Sequence, residues 1–460
     1  VSYAQTNFNN YKPLWSQGEL PDDFKLAAKT KVDQNDQDLG TLDKKKQTEF
    51  LERIHYGIDR ILNSGTVTYG DEVSTYINSV ADILLANDRE TREKLRFYVV
   101  KSNVANAFST NQGMIFFTTG LIAQFANEAQ LAFVLAHEIV HYTHNHVINS
   151  YEYRTDESKS ANIAQLSQYS KQHEFEADRE AVKMCHAAGY STEEIYGSFD
   201  VLMFSHLPFD EIEFDKEYFN TPNFYIPESI FTTKEYLINM DENFDDALST
   251  HPNIEKRRDT VSNHIEKLSN WGTKTTVFNA EKFKEIQTIC RFETIRRRII
   301  NGEIPYALYE IYILEKEFPN SVSLQAFKAH AWYDLARLRV DQAWRNVVPS
   351  DKELEGASAV FLELIAKHKP EQTYAFALRN VYDIYKAHPD NEYIENIYKK
   401  MVTLVANTKR FPKHKYFDIT FKQAEEKIEE KKLSLQNVEL VQKTEVATEV
   451  ESQSKYSRIR

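Results

Sequence analysis

The chain has 460 residues, 42% hydrophobic and 27% charged, with a formal net charge of −13. That length and apolar share suit two or three soluble globular domains with their own cores. The acidic balance excludes the usual footprint of a nucleic-acid binder, which needs clustered Lys and Arg to neutralise phosphates. No apolar run approaches the roughly 18–20 residues of a membrane span. The longest, Gln130–Val140, is too short and carries His and Glu. The start shows no basic segment followed by an apolar one, and the chain begins at Val1, so a processed or trimmed product is expected. A removed signal peptide and a cloning boundary both account for that. Two cysteines, Cys185 and Cys290, are too few for a disulfide framework or a four-thiolate zinc site. They are either free core thiols or one bridge.

Residues 1–41 are aromatic but irregular, and read as an extended arm over a domain or a flexible terminus. From Leu42 to Leu62, Phe50, Ile54, Ile58 and Ile61 recur at helical spacing. Asp71–Leu85 gives a second amphipathic helix, with acidic residues at its start. Leu95–Ser102 and Met114–Thr119 are rich in Phe, Val, Ile and Tyr and read as strands, joined by the turn-rich NAFSTNQG. Asn127–His146 reads as one helix, apolar nearly all round and therefore buried. Another long helix is expected over Ser160–Ala188. Phe209–Asp246 has many aromatics and little periodicity, and serves either as a lid or substrate wall or as ordinary packing. A further helix follows His251.

Near Trp271–Thr276 the texture turns polar, which places a domain boundary there. Beyond it, ALYEIYILEKEFP (Ala307–Pro319) and ALRNVYDIYKAHP (Ala377–Pro389) share one internal spacing at an offset of 70 residues. That offset is close to two units of the ~34-residue TPR period. TPR-like units and an irregular helical bundle both fit. The expected organisation is an arm (1–41), a first domain (42–270), a helical repeat domain (271–423) and a charged tail (424–460). The tail is poor in aromatics and should not pack.

Four of the 14 histidines fall in HEIVHYTHNH, His137–His146. His137 and His141, at i and i+4 on a buried helix, face one side and can share a Zn²⁺ ion. Glu138 stands beside them, placed to take a proton from a water that the ion acidifies. Buried His and Glu need partners, so the apolar frame favours a site over satisfied core histidines. His144 lies two turns from His137, and His146 is rotated off the shared face. Both read as polar contacts where the helix emerges, and a metal store using His144, His146 and His173 is the weaker reading. A zinc site needs a third protein ligand. The metzincin extension fails, since His144 and Val147 stand where its Gly and third His belong. The best candidate lies in HEFEADREAV, His173–Val182. Glu174 and Asp178 share one face there, Glu174 as ligand and Asp178 holding a histidine N–H. Glu176 points elsewhere.

Together these residues resemble the zinc metallopeptidase family of the CAAX prenyl proteases, the HtpX heat-shock proteases and their soluble bacterial relatives. The resemblance rests on HEIVH, on Glu174-Phe-Glu-Ala-Asp178 followed by Arg179, and on Asn106-Ala107-Phe108 with Gly113, Ile115, Gly120 and Leu121. Ser249–Arg257 (STHPNIEKR) completes it, and the coverage is about Leu42–Lys267. It implies a mainly helical fold with a small sheet, a gluzincin domain followed by a TPR-like one. It implies one Zn²⁺ on His137, His141 and Glu174, with Glu138 as base. His251 is implied close to the metal, either stabilising the oxyanion or capping the zinc. MIFFTT is implied as the edge strand along which substrate lies, making Asn106, Ala107, Met114, Ile115 and Phe116 substrate-binding residues. Arg257 would clamp structure. The missing membrane spans favour the periplasmic members. The expected function is zinc-dependent endopeptidase activity on unfolded or misassembled polypeptide, in envelope quality control or outer-membrane protein assembly, with a protein partner on the C-terminal helices. The alternative is a chaperone or interaction module whose zinc is latent or structural.

Overall fold

The computed structural model describes residues 6–33, 43–155, 163–222, 224–239, 253–350 and 352–408. It is mostly helical with one four-stranded sheet, as expected. The chain forms two compact units. One comprises Val1–Thr6, Lys12–His206 and Met240–Arg297; the other comprises Asn7–Tyr11, Leu207–Asn239 and Arg298–Arg460. The expected charged tail at 424–460 lies outside the described residues.

In the first unit, helix α1 (Lys44–Leu62) starts at Asp43, whose carboxylate accepts from the Lys45 and Lys46 amides. Strand β1 (Val67–Thr68) follows, then helix α2 (Glu72–Leu84), capped by Asp71 in the same way. Its buried residues Val73, Tyr76, Ile77, Val80, Ala81 and Leu84 keep helical spacing. Strands β2 (Arg96–Val100), β3 (Ala107–Ser109) and β4 (Met114–Thr118) complete a sheet of order β1-β2-β4-β3.

This order corrects one expectation. Met114, Ile115 and Phe116 are not on an edge: β2 pairs with β4 in parallel on one side and β3 pairs with it antiparallel on the other. Every residue of β4 is buried, as its unbroken apolar run demands. Among the described residues the edge strand beside β4 is β3, inside the segment that reads as a turn. Gly113 allows the tight return from β3 to β4. It sits at φ +75°, and a Cβ there would lie 2.5 Å from the Lys94 carbonyl oxygen.

Helix α3 (Glu128–Thr143) begins at Asn127, whose side chain accepts from the Ala129 and Gln130 amides, and Glu128–Val140 are all buried. It is shorter than expected. The chain breaks at His144 and Asn145, the latter at φ 54°, and helix α4 (His146–Thr155) starts in a new direction. Asn tolerates that left-handed conformation better than most residues. Helices α5 (Ile163–Ala188), α6 (Thr192–Phe204), α7 (Ile254–Ile265) and α8 (Ala280–Asn301) follow. α3 packs against α5, α6, α2 and β3, and α7 packs against α5 and α6. Cys185 and Cys290 are both buried and free, so no bridge joins them.

The polar stretch near Trp271 is tied down. Thr275 accepts from the Ala129 amide at 2.9 Å. The fully buried Glu128 carboxylate accepts from the amides of Val277 (2.8 Å), Phe278 (2.9 Å) and Asn279 (3.3 Å). The Tyr190 hydroxyl donates to it at 2.8 Å, and so does that of Tyr76.

In the second unit, α9 (Ile304–Glu317) pairs with α10 (Val322–Val340), and α12 (Pro370–Ala387) pairs with α13 (Glu392–Asn407). The short α11 (Ala359–Lys367) packs on α9. Both turns carry a Pro, then a cap: Ser321 accepts from the Leu324 amide, and Asn391 from those of Tyr393 and Ile394. The aromatic stretch after Phe209 packs within this unit. Phe214 lies 4.9 Å from Tyr312 and 5.1 Å from Phe361, ring centre to ring centre, and Phe219 lies 4.8 Å from Phe376.

Glu128→Ala would strand several donors that now share one carboxylate. We expect a loss of about 2–4 kcal/mol in urea denaturation of the full chain. A loss under about 0.5 kcal/mol, the range of an inert surface change, would show that the anchor is not structural.

Candidate metal centre

Two helices make the centre because each carries a one-turn pair on its buried face. On α3, His137 and His141 bring their Nε2 atoms to 3.0 Å. Across from them, α5 presents Glu174, with Oε2 3.7 Å from His137 Nε2 and Oε1 3.5 Å from His141 Nε2. Among the described residues this is the one group of three or more such side chains with ligand atoms within 4.8 Å of one another. An ion with ~2.0–2.1 Å bonds in tetrahedral geometry spaces its ligand atoms about 3.3 Å apart. The three donors bracket that spacing, and their chemistry, two imidazoles and one carboxylate, suits zinc.

Asp178 lies one turn beyond Glu174 and is fully buried. Its Oδ1 is 2.9 Å from His137 Nδ1. That contact directs Nε2 of the same ring toward Glu174 and His141. Arg257 of α7 grips Asp178 with two bonds, Nε to Oδ2 at 2.8 Å and Nη2 to Oδ1 at 2.7 Å. Its guanidinium also covers the Phe199 ring at 5.3 Å. This is the clamp the sequence suggested for Arg257. The helix that carries it starts at Asn253, whose side chain accepts from the Lys256 amide at 3.0 Å.

The electrostatics follow from burial and from these pairs. Burial would raise the Asp178 pKa, but Arg257 and then His137 outweigh it and hold the group below the usual carboxylate range. Burial would depress His137, yet Asp178 and Glu174 raise it overall. His141 has no such carboxylate on its second nitrogen, and burial with His137 beside it pushes it down to about 2, leaving a neutral ring. Glu138 is buried, and burial with the Glu174 charge raises its pKa against the opposing pull of His137, Ser109 and Arg257. Ser109, at the end of β3, lies close enough to the Glu138 carboxyl to pull its pKa down. Nothing in NAFST marks that serine, because only the packing of β3 on α3 brings it to the glutamate.

The other predicted residues divide. Ala107 lies on the edge strand β3 and Asn106 just before it, while Met114, Ile115 and Phe116 are buried one strand further in. His251 lies outside the described residues. His144 is exposed, 4.0 Å from a Glu176 oxygen and apart from the three donors. His146 is buried and reaches His141 directly, which an unbroken helix would not allow. Among the described residues His144, His146 and His173 do not fall into a second group of three donors with ligand atoms within 4.8 Å of one another.

A His–Glu–x–x–His helix facing a glutamate on a second helix, with a carboxylate behind the first histidine, is the donor arrangement of a gluzincin-type metal site. The family model of peptidase family M48 matches residues 72–166 and 155–265. The chain is 35% identical to the beta-barrel assembly-enhancing protease of Yersinia pestis over 89 residues, 19% of this chain and 18% of that protein. It is 30% identical over 109 residues to a putative protease of the same description from Vibrio cholerae, 24% and 22% of the two chains. For the Escherichia coli K12 protein the figures are 28% over 106 residues, 23% and 21%. Each match spans about a fifth of the relative's length.

Arg257→Met would leave Asp178 buried without its cation. Metal affinity measured by chelator competition should fall about 10–100-fold, the usual cost of losing such support. Unchanged affinity would show that Asp178 does not depend on the clamp.

Proposed function

We propose that this chain is a zinc-dependent endopeptidase, with His137, His141 and Glu174 holding the ion and Glu138 serving as general base. The observation that carries the reading is the convergence of those three donors, at 3.0–3.7 Å from one another, beside a buried glutamate of raised pKa. The ion, when bound, lowers the pKa of a water toward neutrality and polarises the scissile carbonyl. Glu138 takes the proton of the attacking water and returns it to the departing amine nitrogen. Its raised pKa brings it closer to the working pH that such two-way transfer needs. Asp178 keeps His137 in the tautomer whose Nε2 lone pair is free, and Arg257 keeps Asp178 ionised and in place.

Substrate positioning follows from the sheet. Asn106 and Thr110 pair with Thr118 and Met114 of β4. Alternation in an antiparallel ladder therefore turns the backbone groups of Ala107 and Ser109 away from β4. An extended peptide adding there pairs main chain to main chain, which favours unfolded polypeptide whatever its sequence. His251 precedes the Asn253 cap by two residues. On the family resemblance we assign it to the metal's surroundings, as oxyanion stabiliser or as cap.

The relatives named for beta-barrel assembly suggest the setting: an exported protein acting on misassembled outer-membrane polypeptide. No helix among the described residues is long and apolar enough to cross a membrane, which is compatible with that setting. The capped helix pairs α9–α10 and α12–α13 form a TPR-like module for a protein partner.

The test is Glu138→Gln assayed on casein, with zinc measured in the same sample. Zinc should remain while cleavage falls about 10²–10⁴-fold, the range for a lost acid–base group. Unchanged cleavage would sink the assignment. A wild type that binds zinc yet cuts no denatured protein would instead support the chaperone reading.

A further inference from the structure

Each imidazole in a metal site has a second nitrogen, and what holds it fixes the ring. For His137 that partner is Asp178. For His141 the structure offers something else. His146 Nδ1 lies 2.9 Å from His141 Nδ1, and His146 Nε2 lies 3.2 Å from Glu176 Oε2. His146 is 3% exposed, and its ring stacks on that of His173 with centroids 4.2 Å apart and planes 2° from parallel. His173 Nδ1 is in turn 3.3 Å from the Ser150 hydroxyl.

Only one proton arrangement satisfies these contacts while leaving His141 Nε2 free beside His137 and Glu174. His141 Nδ1–H donates to His146 Nδ1, and His146 Nε2–H donates to the Glu176 carboxylate. The path of the backbone makes this possible. Five residues along an unbroken helix amount to roughly 140° of net rotation, which would put His146 on another face. The turn at His144 and Asn145 (φ 54°) instead starts a new helix whose first residue swings back over the His141 ring.

We propose that His146 is a positioning residue for the metal centre, setting the tautomer and plane of His141 as Asp178 does for His137. Glu176 and His173 hold His146 in turn. The proposal rests on the zinc reading above and concerns only how the second histidine is held.

The full-length protein and its variants would be titrated with zinc against a chelator, and the Co²⁺-loaded forms followed by visible absorption. His146→Leu removes the acceptor. Zinc affinity should fall at least about 10-fold, within the range seen when such partners are lost, and the Co²⁺ bands should shift. His146→Asn restores an oxygen near the Nδ1 position and should recover most of the affinity and the wild-type bands. His146→Gln places its oxygen further out and should not. Wild-type affinity and spectrum in His146→Leu would overturn the inference, as would an Asn variant no better than Gln. Should His146→Leu fail to fold, the Asn–Gln comparison decides by itself. A wild type that takes up no zinc would instead refute the metal site.

Discussion

A single buried carboxylate organises the centre. Asp178 is wholly removed from solvent, and a charge in that position is tolerated only with partners that repay its lost hydration. It has two: the forked Arg257 from α7, and His137 from α3. Three helices distant in sequence are thereby held to one oxygen pair. The orientation of His137, the approach of Glu174 and the burial of Glu138 depend on α3 and α5 keeping that spacing. The Arg257 guanidinium lies near Glu174 as well, 3.9 Å from Oε2. The same cation therefore steadies the Glu174 carboxylate and the Asp178 carboxylate together.

The centre was legible where its chemistry repeats at helical spacing. His137 and His141, and then Glu174 and Asp178, are pairs at i and i+4, so periodicity alone places each pair on one face. A charged stretch such as EFEADRE would read as a solvated helix by itself; the HEIVH segment gives it buried partners. The aromatic strands and the long buried helix were legible for the same local reasons. The pairing of strands was not. MIFFT looks like any buried strand, and only the three-residue β3, built from Ala107, Phe108 and Ser109, decides that it is internal. Short strands of that composition carry almost no local signal. The break at His144–Asn145 was equally hidden, because the apolar pattern runs up to it, and with it went the approach of His146 to His141. Ser109 and His146 come beside Glu138 and His141 through tertiary packing, which no spacing rule reports.

In the second unit the aromatic stretch from Phe209 gave no period to read. Its rings are held singly by helices far along the chain, Phe214 by Tyr312 and Phe361, Phe219 by Phe376 and Trp332. Such a segment is ordered by what it meets rather than by its own hydrogen bonds. The helix pairs declare themselves more plainly, since Pro319 and Pro389 end one helix while Ser321 and Asn391 begin the next.

The central claim is that Glu174 completes a zinc site with His137 and His141. Metal analysis of Glu174→Ala beside Glu180→Ala, a change on the same helix outside the three-donor group, tests it most directly. The account predicts one zinc per chain in wild type and in Glu180→Ala, and none retained by Glu174→Ala after dialysis. Stoichiometric zinc in Glu174→Ala, held as tightly as in wild type, would contradict it.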